Sequence, residues 1–159
     1  MSRGPRNRSK SKGKPGSGAV DEFMRGERGL SSLSTKDLGD FGEILGVSYL
    51  EGRGYEILER NYRCCEGEAD IVAYDRAVDQ VVLVEVKTRR EPARGGCPYP
   101  EEAVDERKLR RYRRIASMYA LDRFPISSMR FDVLAITVTH EGRARLKHLY
   151  DLFSWGGMS

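Results

Sequence analysis

The segment that most limits the fold is residues 80–88, QVVLVEVKT. Its β-branched, nearly unbroken apolar run reads as a central strand covered on both faces. Side chains two apart on a strand share a face. Val82, Val84 and Val86 therefore point one way, while Leu83, Glu85 and Lys87 point the other. An acid and a lysine inside such a strand are costly unless they are paired or hold an ion. The surrounding elements must therefore cover both faces of a sheet and also account for the two charges.

The neighbouring segments supply both. Residues 68–74 form a second strand, and the short polar connection 75–79 closes an antiparallel hairpin that brings Asp70 level with Glu85. Residues 55–63 give a further strand. Upstream, Leu38, Phe41, Leu45 and Tyr49 recur at helical spacing, so a helix runs over about 37–53, with a cap at Ser34-Thr35 and a stop at Gly54. Gly42 and Gly46 each cost ~1 kcal/mol relative to Ala inside a helix, which implies close packing on that side. Residues 89–100, with Gly95-Gly96 and three prolines, read as a loop. A second helix is expected over 101–122 with the stripe Leu109, Tyr112, Ile115, Ala116 and Tyr119. Strands 129–138 and 144–150 follow, separated by a turn near Glu141-Gly142. The order αβββαββ describes an α/β domain with a mixed central β-sheet flanked by helices.

Charge divides the chain unevenly. Residues 1–36 carry nine Lys/Arg against three Asp/Glu, net +6, whereas the rest carries nineteen against twenty-one, net −2. The stretch 1–36 reads as a disordered basic N-terminal tail, either a solvated leader or an arm adding non-specific phosphate affinity. The folded domain is expected over 37–152, with 153–159 as a C-terminal end carrying Trp155 as a packing residue. No apolar run reaches the ~18–20 residues of a membrane span, and the basic start has no apolar stretch like a signal peptide. Three cysteines, two of them adjacent (Cys64, Cys65, Cys97), make a poor disulfide framework, so a cytoplasmic location is expected. No C-x-x-C or H-x-x-x-H spacing supports zinc.

Two carboxylates beside a lysine suit phosphodiester hydrolysis assisted by Mg²⁺, a hard ion that takes oxygen ligands and keeps several waters. Asp70, fourteen residues, then Glu85-Val86-Lys87 resembles the acid…(Asp/Glu)-x-Lys signature of the PD-(D/E)xK nuclease superfamily. The surrounding words narrow the likeness. Gly42-Glu43, Tyr49-Leu50, Gly54-Tyr55, Arg60-Asn61, Gly67-Glu68-Ala69-Asp70-Ile71-Val72, Val84-Glu85-Val86-Lys87-Thr88-Arg89, Glu102-Ala103-Val104, Lys108 and Arg130-Phe131-Asp132-Val133 occur in order. That series is similar to the YraN-type family of small bacterial proteins, whose fold resembles Holliday-junction resolvases.

The resemblance implies a restriction-endonuclease- or resolvase-like core and a Mg²⁺ (or Mn²⁺) site. Asp70 and Glu85 would be metal ligands, and Glu43 would match a further acidic position on the first helix. Lys87 would position water or offset developing charge. Lys108 and Tyr112 match supporting positions on the second helix, and Glu68 is an outer partner or a plain exposed acid. By charge, Arg89, Arg90, Lys108 and Arg111 are candidate nucleic-acid contacts. The function expected is a Mg²⁺-dependent DNA endonuclease, with branched DNA among its substrates and a homodimer as a natural assembly. Two alternatives stand beside it: a non-catalytic nucleic-acid-binding module of the same fold, and an interaction protein whose ion-pair network is structural.

Overall fold

The computed structural model describes residues 29–94, 104–123 and 125–156. A short 3₁₀ turn, Leu30–Ser32, leads into helix α1, Thr35–Gly52. Strands β1 (Glu56–Cys64), β2 (Gly67–Asp75) and β3 (Gln80–Arg90) follow, then helix α2 (Glu106–Asp122), β4 (Ser128–Val138) and β5 (Ala144–Gly156). The five strands form one sheet in the order β1-β2-β3-β4-β5. All pairs are antiparallel except β3–β4, which is parallel because α2 carries the chain back across the sheet. The mixed α/β architecture αβββαββ is therefore the observed one.

Periodicity assigns the two layers. Leu50 of α1 packs with Ile71, Ala73, Val82, Val84 and Leu134 on one face. Tyr112, Ile115, Ala116 and Tyr119 of α2 pack with Val72, Leu83, Phe131 and Val133 on the other. The glycines of α1 explain how closely its layer sits. A Cβ on Gly42 would lie 1.8 Å from Thr88 Oγ1, and one on Gly46 would lie 3.2 Å from both Val86 and Leu134 side-chain carbons. Ser34 caps α1 by accepting from the Asp37 backbone N–H at 3.1 Å. Gly54, at φ +89°, supplies the left-handed residue that lets the chain leave the helix for β1.

Several boundaries differ from the sequence reading. Order begins before residue 37: Leu30 and Leu33 are buried with Leu38, Phe41 and Val138. Two isolated leucines in a polar stretch carry no periodic signal, so only their docking reveals them. Residues 1–28 of the expected tail lie outside the described residues. Strand β3 continues through Arg90, because β4 offers a parallel partner as far as Val138, so Arg89 and Arg90 belong to the strand and not to a loop. Helix α2 starts at Glu106, five residues later than expected, because Asp105 caps it by accepting from Lys108 N–H at 2.7 Å. Strand β5 runs on to Gly156, so Trp155 is a strand residue paired with Met129 and half exposed. Of the cysteines, Cys64 and Cys65 are free, and Cys97 lies outside the described residues. Among the described residues no helix is long and apolar enough to cross a membrane.

Under α1, at the Val81/Met129 end of the β3–β4 ladder, lies a buried polar network. Asp132 is fully buried, and burial alone would raise its pKa. Hydrogen bonds with His148 (2.9 Å), Arg130 (3.0 Å) and the Asp151 backbone N–H (2.9 Å) outweigh that and hold it below its ordinary value. Arg130 also donates to Asp75 and to the Tyr55 hydroxyl, each at 2.8 Å.

Three substitutions test this packing. Gly42→Ala should destabilise by about 1–3 kcal/mol through the Thr88 clash. Gly39→Ala, which has nothing within 4 Å, should gain up to ~1 kcal/mol from helix propensity. Arg130→Met should cost about 3–5 kcal/mol, because Asp132 and Asp75 lose their shared cation in the interior. Urea unfolding at constant m reads all three.

Candidate metal-binding acidic site

Strands β2 and β3 part where the chemistry was expected. Their ladder runs from Asp75↔Gln80 to Ile71↔Val84 and stops there. Beyond that point β2 stays with β1 as far as Gly67↔Cys64, while β3 stays with β4. Continuing the register would place Asp70 opposite Glu85, as counting across the hairpin suggests. Instead of backbone pairing, the Asp70 carboxylate enters the gap and accepts the Val86 N–H at 2.7 Å.

Burial and crowding load this carboxylate. The Asp70 pKa is pushed up to about 7, first by burial. The Val86 N–H works against the shift, and the charges on Glu85, Glu43 and Glu68 reinforce it. Val86 is its one hydrogen-bond partner among the described residues.

Glu85, half-buried on the α2 face of β3, is differently supplied. Lys108 Nζ lies 2.9 Å from Oε1, and the Tyr112 hydroxyl donates to Oε2. Tyr112 is fully buried and stacks on Phe131 with ring centroids 4.0 Å apart. Burial, together with the charges on Glu85 and Asp70, holds its phenol well above the usual range, so it remains a neutral donor. Lys87 makes no ion pair among the described residues, so the structural alternative of a Glu85–Lys87 pair is replaced by Glu85–Lys108.

The remaining expected residues separate. Glu43 comes from the α1 side and contributes its field to Asp70, and it forms an ion pair with Arg60 of β1 at 3.9 Å. Among the described residues, no three His, Cys, Asp or Glu side chains gather closely enough to hold an ion by themselves. Glu85 and Glu43 both act on Asp70 through their charge. Glu68 is paired with Arg63 at 2.9 Å, on the surface. Arg90 donates to the carbonyls of Leu30 and Leu33, so this candidate phosphate contact ties the N-terminal segment to β3. Arg111 is exposed beside the Tyr112 ring, its guanidinium carbon 5.7 Å from the centroid, and Arg89 is half-buried. Arg107, Arg110 and Arg113 are also exposed along α2, and Arg114 pairs with Glu66.

The donor set suits a hard divalent ion, which uses one or two carboxylates and keeps waters for the rest of its shell. A buried acid, raised first by its burial and further by three like charges, with no ion-pair partner among the described residues, is the observation in favour. Asp70 and Glu85 would hold such an ion.

The sequence profile of the uncharacterised protein family UPF0102 matches residues 42–136, which span this whole site. The chain belongs to that family. A UPF0102 protein of Mycobacterium tuberculosis (strain ATCC 25618 / H37Rv) is 40% identical over 124 residues, covering 77% of this chain and 94% of the relative. One from Arthrobacter sp. (strain FB24) is 44% identical over 119 residues, 74% of this chain and 97% of the relative. The YraN-type resemblance of the motifs is thereby shown, and a nuclease-superfamily fold is consistent with the family.

Sequence reasoning missed the Arg130–Asp132–His148 network. Its signal was available: Arg130-x-Asp132 places opposite charges two apart in an apolar strand, as Glu85-x-Lys87 does.

The raised Asp70 value predicts an unusual pH slope. The folded state binds this proton more tightly than the unfolded chain, whose value is near 3.8, so stability falls as pH rises from about 4 to 7. At ~1.4 kcal/mol per unit the full effect is on the order of 4 kcal/mol. Asp70→Asn, which can still accept from Val86, should remove that slope and be more stable than the wild type at pH 8 without metal. Urea unfolding at pH 5 and pH 8 reads the difference.

Proposed function

We propose that this protein is a metal-dependent endonuclease that hydrolyses DNA phosphodiester bonds, with branched DNA as the substrate class to test first. The observation carrying this reading is the Asp70 carboxylate, buried among like charges at the fork between β2 and β3, with Glu85 and Lys87 on the neighbouring strand. A divalent ion bound there would polarise a phosphoryl oxygen and lower the pKa of a bound water.

The chain's own groups then have distinct tasks. Asp70 and Glu85 hold the ion, and Val86 N–H and Tyr112 fix the direction of their carboxylates. Lys87, on the same face as Glu85, holds the attacking water or offsets charge growing on the phosphorane. Glu43 adds negative field at the rim and draws cations in. The exposed arginines of α2 (Arg107, Arg110, Arg111, Arg113) form a basic ridge for the phosphate backbone. A junction with two symmetric strands needs two such sites, which a homodimer supplies.

One observation favours the second reading, a nuclease-like module or interaction protein without catalysis. Both oxygens of Glu85 are already satisfied by Lys108 and Tyr112. Incubating the purified protein with linear, flapped and four-way DNA in Mg²⁺ or Mn²⁺ separates the readings. Cleavage should appear with the wild type and fall about 10²–10³-fold in Lys87→Ala, the cost of removing one preorganised charge-stabilising group. It should vanish in Glu85→Ala. Cleavage that persists in both variants belongs to a contaminant. Binding without cleavage identifies a module, and absent or salt-insensitive binding identifies an interaction protein.

A further inference from the structure

Glu85 is held by two donors of opposite character. Tyr112 is neutral, fully buried and clamped against Phe131, so its hydroxyl stays where it is. Lys108 is a cation on a flexible four-carbon stem in the first turn of α2, with its side chain 18% exposed. The two lie four residues apart on one helix face, so each reaches a different oxygen of the same carboxylate. A partly buried carboxylate needs positive charge nearby, and the ammonium supplies it.

Resting on the reading of Asp70 and Glu85 as a divalent-ion site, we propose that Lys108 is a replaceable counter-ion. In the metal-free protein its ammonium occupies Glu85 Oε1. An arriving divalent ion takes that oxygen, and the released ammonium turns to a phosphate of the substrate. Tyr112 keeps hold of Oε2 throughout, so the carboxylate does not lose its direction when the cation changes. Loading of the ion and gripping of DNA are thereby coupled through one side chain. Metal strengthens phosphate binding by freeing a cation, and phosphate strengthens metal binding by keeping that cation away. Lys108 acts here as a positioning residue toward the ion and as a contact toward the nucleic acid.

The test reads binding instead of turnover. Mn²⁺ titration by calorimetry is run on wild type, Lys108→Gln, Lys108→Met and Lys108→Arg, each first shown to be folded by thermal melting. Gln retains a donor toward Glu85 without the charge, which covers the case in which Met does not fold. Removing the competing charge should tighten Mn²⁺ binding on the order of tenfold in Gln and Met, while Arg stays near wild type. Anisotropy of a labelled DNA duplex across a salt series gives the second readout. With Ca²⁺ present, Lys108→Gln should lower the salt slope by about 1, the loss of one phosphate contact; without a divalent ion the slope should match wild type. Equal Mn²⁺ affinity in all four proteins, with slopes unchanged by Ca²⁺, overturns the counter-ion role and leaves the metal site standing. Folded proteins of which none binds Mn²⁺ overturn the metal site and this inference together.

Discussion

The arrangement of the site depends on the fork in the sheet at Ile71↔Val84. Strand β3 stays with β4 for ten consecutive register positions, from Val81↔Met129 to Arg90↔Val138, but leaves β2 after Val84. Strand β2 stays with β1, in which Asn61 lies at φ +52°. Where the two separate, the Val86 N–H loses a ladder carbonyl, and an interior N–H without a partner is costly. The Asp70 side chain fills that role. A requirement of backbone bonding therefore places a carboxylate at the mouth of the gap.

The two helical layers bring the other charges to the same mouth. Helix α1 can sit close to β3 only because Gly42 and Gly46 have no side chains, and that closeness lets Glu43 act on Asp70 from the opposite layer. Helix α2 contributes through spacing: Tyr112 is anchored in the core, and Lys108, one turn earlier, comes out at the edge beside Glu85. The pinning of Leu30 and Leu33 by Arg90 extends the α1 layer over the far end of β3.

What could be read from the sequence was whatever depends on alternation and counting. The faces of β3, the hairpin that levels Asp70 with Glu85, and the glycine side of α1 follow from periods of two and of 3.6 residues. What could not be read depends on where an element stops or on how a long side chain turns. Asp70 lies in the gap because β2 leaves β3 after Ile71↔Val84, a departure visible only in the paired sheet. Lys108 is a candidate phosphate contact by charge, and its pairing with Glu85 becomes visible only once α2 is docked. Arg90 looked like a phosphate contact because charge alone does not distinguish a solvated guanidinium from one bonded to two backbone carbonyls.

Asp132 and Asp70 show how the partners of a buried acid decide its protonation. Asp132 receives an arginine, a histidine and a backbone N–H, and the sum holds it below its ordinary value in spite of complete burial. Asp70 receives one backbone N–H in the company of three acids and is pushed up to about 7. Both sit in the same fold and could have been neutralised by the same means, since Lys87 extends from the neighbouring strand and Lys108 reaches Glu85. A carboxylate kept only to close a backbone gap would be better served by asparagine, which accepts from Val86 without the repulsion. Keeping an acid there costs stability at neutral pH, and the proposed divalent ion would offset that cost by binding the charge.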